Sequence, residues 1–132
     1  MQVEQKSEIG VVGKHVYGNL YECDPDILGD LRLLKKLVSE ASKIAKMTLV
    51  ELRGWRFGGE KGGVSVIALV VESHLALHTW PGYKYATLDI FTCGDKSDPF
   101  KAFDYLCEAL KPRSVSRHYA DRSSDKQQVI GT

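Results

Sequence analysis

Residues 64–71, VSVIALVV, make up the most apolar stretch of this 132-residue chain. Short and dense in Val and Ile, the run suits a buried strand. It falls far short of the roughly 18 residues that a membrane-spanning helix needs. Extended patterns also mark 11–21, 48–57, 75–80, 85–91 and 114–120. Two amphipathic helices interrupt them. In the first, from Asp30 to about Lys46, Leu31, Leu34, Val38, Ala41 and Ala45 recur at helical spacing. The second opens on Asp98-Pro99, places Phe100, Phe103, Leu106, Cys107 and Leu110 on one face, and stops before Pro112. Asp24-Pro25 is another start signal, and Gly29 separates it from the longer helix. The expected architecture is α/β: a two-layer sandwich, mainly antiparallel, with two helices on one sheet face. The other face is left for water or for a partner.

Charge and cysteine content narrow the class. With 18 Lys+Arg against 17 Asp+Glu the net charge is +1, which disfavours a nucleic-acid binder. Charged residues at 27% and hydrophobic ones at 43% exclude bulk disorder. The start, MQVEQKSEIG, lacks the apolar core of a secretory signal, and three cysteines in no paired spacing form no disulfide framework. These features predict one cytoplasmic domain over 1–132, bound to neither membrane nor nucleic acid, with flexible ends at 1–10 and 121–132. The glycine-rich GGEKGG at 58–63 lacks the Walker spacing and reads as a hairpin loop.

The polar residues that follow the apolar run carry the chemistry. In Glu72-Ser73-His74-Leu75-Ala76-Leu77-His78-Thr79-Trp80-Pro81 a carboxylate, a hydroxyl and two imidazoles stand where strand burial is expected. Unpaired burial costs about 1–3 kcal/mol per group, so each needs a partner or a purpose. On the residues alone, a polar turn at 72–74 with a satisfied His78 competes with a functional cluster. His74 and His78 lie four apart, but on a strand and without a HExxH pattern they make no zinc site. A hydrolase triad from Ser73, a histidine and Asp89 lacks the GxSxG elbow. Cys93, in Phe91-Thr92-Cys93-Gly94, sits at a strand end where it can face a cleft; Cys107 reads as core, and Cys23 has no companion base.

Taken in order, Glu72-Ser73-His74, His78-Thr79-Trp80-Pro81 and Thr92-Cys93-Gly94 resemble the signature of the prokaryotic S-adenosylmethionine decarboxylase family. Gly13-Lys14-His15 and Tyr21-Glu22-Cys23-Asp24 resemble its opening strand. The resemblance implies a proenzyme that cleaves itself between Glu72 and Ser73. Its products would be a β chain of 1–72 and an α chain of 73–132, with a pyruvoyl group made from Ser73 at the new end. It further implies His78 as processing base and Cys93 as catalytic proton donor, a fitting role because a thiol with a reference pKa of about 8.5 is mostly protonated at neutral pH. The pyruvoyl carbonyl would form a Schiff base with a substrate amine and act as the electron sink for decarboxylation. No other cofactor and no metal is implied. Strand alternation puts residues five apart on opposite faces, so Ser73 must sit at a turn or bulge to share a site with His78.

Within the family, one branch acts on S-adenosylmethionine and another, archaeal, converts L-arginine to agmatine; both serve polyamine biosynthesis. Gly82 stands where the first branch has an acidic residue, and Asn19 where it often has Asp or Glu. The stretches 13–21 and 119–124 are also more similar to the arginine branch. Arginine is therefore the expected substrate, S-adenosylmethionine the alternative, and a non-catalytic α/β scaffold the reading from another class. Glu22, Asp24 and Asp89 are the candidate carboxylates for a guanidinium. The resemblance implies a homo-oligomer of the αβ unit.

Overall fold

Alternation within the strand-like runs decides which way the sheet faces. The computed structural model describes residues 10–59 and 62–125. Its strands are β1 (Gly13–Tyr21), β2 (Leu49–Arg56), β3 (Val64–Val70), β4 (Ser73–Trp80), β5 (Tyr85–Cys93) and β6 (Ser114–Asp121). They form one sheet in the order β2-β3-β4-β5-β1-β6, every neighbouring pair antiparallel. The helices are a single turn α1 (Pro25–Leu28), then α2 (Leu31–Ile44) and α3 (Pro99–Leu110), with a 3-10 turn at Pro81–Tyr83.

Each helix starts on an aspartate cap, as the sequence predicts. Asp24 accepts from the Asp26 N–H at 2.9 Å, Asp30 from Leu33 at 3.0 Å and Asp98 from Phe100 at 3.0 Å. Helix α3 ends where Lys111 takes the left-handed conformation at φ 55°, one residue before Pro112. Leu34, Val38 and Ala41 of α2 and Ala102, Phe103, Leu106 and Leu110 of α3 are buried against Val16, Leu20, Val66, Leu77, Leu88 and Ile90 of the sheet. Full burial of each large side chain contributes roughly 1.5–3 kcal/mol. The result is the expected two-layer sandwich, with α1 as a small addition.

Among the described residues, no layer covers the opposite sheet face. His15, Tyr17 and Asn19 of β1, Ile67 and Leu69 of β3, His74 and His78 of β4, and Asp89 and Phe91 of β5 alternate with the core positions and point away from the helices. The ends foreseen as flexible fall mostly outside the described residues. Within them, Val11 and Gly13 bond Ser124 and Ser123. None of the described helices is long and apolar enough to cross a membrane.

Candidate active site

Ser73 stands where the alternation breaks. Val70 pairs with Ser73 across β3 and β4, so Val71 and Glu72 alone make the connecting turn. Ser73 carries φ 151°, a region that L-residues rarely occupy. That backbone turns its hydroxyl toward β5, where Oγ lies 3.6 Å from the Cys93 Sγ. The requirement that Ser73 sit at a turn is met. Its neighbour Glu72 points away, its carboxylate accepting from the Thr48 N–H at 2.9 Å and from the Thr48 hydroxyl at 3.2 Å.

Cys93 is the last residue of β5, and a buried polar network fixes it from the helix side. Thr92, fully buried, shares a 2.7 Å hydrogen bond with the hydroxyl of Ser97, which is also buried. The Ser97 hydroxyl donates onward to the Cys93 carbonyl at 3.1 Å, while the Lys14 ammonium donates to the Ser97 carbonyl at 2.7 Å. The Gly94 N–H donates to the Val12 carbonyl at 2.9 Å. Buried hydroxyls left unpaired would be costly; here each one ties down the segment that holds the thiol. Cys93 lines an open cavity of about 400 Å³ with Val11, Val12, Val71, Glu72 and Gly94.

A second cavity, of about 270 Å³, opens on the bare sheet face between Tyr17, Asn19, His74, His78, Thr87 and Asp89. Asp89 anchors it. Its Oδ1 meets His15 Nε2 at 2.7 Å and His74 Nε2 at 3.7 Å. Phe91, one step along the same face, has the rings of His15 and His74 at 5.8 Å and 5.9 Å and the Arg122 guanidinium 4.2 Å above its centre. His78 shares a 2.8 Å hydrogen bond with the Ser65 hydroxyl through Nδ1. The Tyr85 hydroxyl donates to the side-chain amide oxygen (Oδ1) of Asn19 at 3.1 Å.

Ser73 and Cys93 thus come together, whereas His78 stands five residues farther along β4, roughly 16 Å away at the rise of an extended strand. Among the described residues no hydrogen bond joins Ser73 to a histidine, so the triad considered with Asp89 is not assembled. Nor do the described residues contain a group of three or more His, Cys, Asp or Glu able to hold a metal. Of the three carboxylates considered, Asp24 caps α1, and Glu22, at the far end of β1, faces Arg113 at 3.9 Å. Only Asp89 opens into a cavity on the face that carries His74. Burial, reinforced by the nearby Cys107 thiol, pushes the Cys23 thiol up to about 11. Cys107 is also raised by burial to about 11, with Asp104 adding and Arg117 opposing. Both thiols stay protonated at neutral pH; Cys23 is buried and Cys107 only partly so.

Sequence reading missed Ser65, Thr48 and Ser97, and gave no role to Lys14, His15 and Thr92, which it had named only as motif residues. Ser65 had a signal: it is the lone polar residue inside an otherwise apolar strand, and such a residue needs a partner across the sheet.

Comparison with known proteins gives the family and supports the fold. The family described as S-adenosylmethionine decarboxylase matches residues 14–123. A protein of Ignicoccus hospitalis named arginine decarboxylase proenzyme is 54% identical over 129 residues, 98% of this chain and 90% of its own. A protein of the same name from Hyperthermus butylicus is 60% identical over 114 residues, 86% of this chain and 80% of its own. The crystal structure of the adenosylmethionine decarboxylase from Aquifex aeolicus superposes with a TM-score of 0.77 at 30% identity, covering 85% of this chain and 91% of that one. A match across nearly all of the globular part, with the fold to go with it, places this chain in the S-adenosylmethionine decarboxylase family.

Proposed function

We propose that the chain is a pyruvoyl-dependent decarboxylase that converts L-arginine to agmatine and carbon dioxide, made as a proenzyme that cuts itself between Glu72 and Ser73. The observation that carries the reading is the meeting of Ser73 and Cys93 at 3.6 Å beside a strained turn. Ser73 suits a residue that becomes a new chain end. It is the first residue of β4, directly after a two-residue turn, so a break there disturbs at most the terminal Val70–Ser73 rung of the β3–β4 ladder. The pyruvoyl group it yields supplies an electron sink for the charge left when carbon dioxide departs. Cys93 holds the proton that the product carbon must receive, and Thr92, Ser97 and Lys14 keep its backbone in place.

The substrate follows from the relatives and from the cavity. Both relatives above, at 54% and 60% identity, are named arginine decarboxylase proenzymes. Asp89 pairs with Ala76, three residues along β4 from Ser73, a span of roughly 10–11 Å including the step between strands. An extended arginine reaches about 7 Å from its α-carbon to its outer nitrogens, and a hydrogen bond of about 2.9 Å completes the distance. Asp89 is the carboxylate for the guanidinium. S-adenosylmethionine is less suited: Gly82 offers its ribose no side chain, and the Asn19 oxygen is already engaged by Tyr85. The three cysteines are all free thiols, which fits a reducing compartment such as the cytoplasm.

His78 serves as processing base only from a second copy. A base must lie within hydrogen-bond reach of the proton it takes, and Ser73 of the same chain is too far. The bare sheet face suits such a pairing: Ile67 is 39% exposed, Leu69 51% and Trp55 42%, all on its outward positions. Two copies packed face to face bring the His78–Ser65 pair of one toward Ser73 of the other, giving two equal centres per dimer.

The test is direct. Purified protein is weighed by mass spectrometry and incubated in parallel with carboxyl-labelled arginine and S-adenosylmethionine. Fragments split between Glu72 and Ser73, label released from arginine, and an uncut Ser73→Ala variant are expected. Release from S-adenosylmethionine alone overturns the substrate, and a whole, inactive wild-type chain supports the scaffold reading.

A further inference from the structure

The turn before Ser73 has neither the residues nor the backbone usual for a connection of its length. Two-residue hairpin turns favour Gly, Asn or Asp because their backbone needs positive φ. Here the turn is Val71-Glu72, and neither residue has positive φ; the unusual angle falls on Ser73 instead. Val71 is 69% exposed, so packing of its side chain does not hold the turn. The turn is held from outside, by hydrogen bonds from a neighbouring segment.

Thr48 is the restraint. Its carbonyl accepts from the Val71 N–H at 2.8 Å, its N–H donates to the Glu72 carboxylate at 2.9 Å, and its hydroxyl donates to the other carboxylate oxygen at 3.2 Å. Thr48 is itself anchored: Met47 before it is buried and donates to the Ser42 carbonyl of α2 at 2.8 Å. Three bonds from one residue therefore tie both turn residues to the helix layer.

We infer that Thr48 is a positioning residue for the self-cleavage, holding Glu72 so that its carbonyl faces the Ser73 hydroxyl. The inference rests on the cleavage proposed above. In the step concerned, Ser73 Oγ bonds to the Glu72 carbonyl carbon, the Glu72–Ser73 C–N bond breaks, and the freed nitrogen gains the proton the hydroxyl loses. An ester replaces the amide. Thr48 exchanges no bond. It keeps the Glu72 peptide from rotating into a relaxed turn, away from the attacking oxygen.

Full-length chain made by cell-free translation, pulse-labelled and followed by gel, gives the cleavage rate. Thr48→Val keeps the shape but removes one charge-assisted bond, and slows cleavage about tenfold. Thr48→Ser restores the rate to within about twofold, and Glu72→Gln, with one acceptor in place of two, slows it by a factor like that of Thr48→Val. Hydroxylamine cuts the chain at the ester as soon as it forms. It therefore leaves Thr48→Val slow, because the lost step precedes the ester. Melting of Ser73→Ala and Ser73→Ala/Thr48→Val at the same temperature shows that the slowing is not a folding defect. The inference is overturned by a Thr48→Val chain that cleaves at the wild-type rate, by full rescue with hydroxylamine, by a Thr48→Ser chain as slow as Thr48→Val, or by a large drop in melting temperature. A wild-type chain that never cleaves overturns the proposed processing as well, which separates the two failures.

Discussion

Co-expressing Ser73→Ala and His78→Ala chains tests whether each reaction centre draws on two copies. Alone, the first lacks the attacking hydroxyl and the second lacks the base, so neither cleaves. Mixed, a His78→Ala chain brings an intact Ser73 to the intact His78 of a Ser73→Ala partner. The separation of roughly 16 Å within one chain, set by five steps of an extended strand, is about five times the reach of a hydrogen bond. With random pairing about half of the dimers are mixed, and each has one competent centre. About a quarter of all chains, or half of the His78→Ala chains, should therefore appear as two fragments. Distinct terminal tags and intact-mass measurement count them. The reasoning fails if mixed dimers are isolated and every chain in them is whole, or if His78→Ala alone cleaves at the normal rate.

Asp89→Asn should raise the KM for arginine by about 10- to 100-fold through loss of a charge-assisted bond, and an unchanged KM removes Asp89 from the substrate site. Cys93→Ala should still be cut yet fail to form agmatine at the normal rate; undiminished product formation removes the thiol from the mechanism. Iodoacetamide at about pH 8 should mark Cys93 first, because burial keeps Cys23 and Cys107 protonated until the pH approaches about 11. The same raised values fix a sign: the folded state favours these protonated thiols, so their support is intact below the ordinary thiol range and is lost as pH climbs through about 11. Equal labelling of all three cysteines at about pH 8 contradicts this.

The helix starts were legible because an aspartate cap is a local matter, written in Asp24-Pro25 and Asp98-Pro99 and independent of what the helix packs on. The strands were legible for a related reason: period-two burial leaves a period-two sequence, as in β5, where Ala86, Leu88 and Ile90 go inward. A break at Ser73 was expected from the opposite parity of positions 73 and 78, on the premise that they meet within one chain; the break is present, but that premise fails, and the backbone angle was not foreseen. What stayed hidden was everything set by strand order. That His15 would reach Asp89 depends on β1 lying beside β5, seventy-four residues away in sequence. Choosing Asp89 over Glu22 and Asp24 needed the same knowledge. So did the Thr48 clamp, since residues 24 apart meet only once β2 and β3 pair.

The seating of β1 between β5 and β6 has a consequence for a molecule cut as proposed between Glu72 and Ser73. Residues 1–72 contribute β1, β2 and β3, and residues 73–132 contribute β4, β5 and β6. The first fragment therefore grips the second at two separate seams, β3 against β4 and β1 wedged between two strands of its partner. Peeling the fragments apart means tearing three ladders at once, so the nicked protein should hold together through dilution and chromatography like an intact chain. Once melted it faces a different task, because its halves must find each other again by diffusion, and recovery of the folded αβ unit should depend on concentration more steeply than that of the uncut precursor.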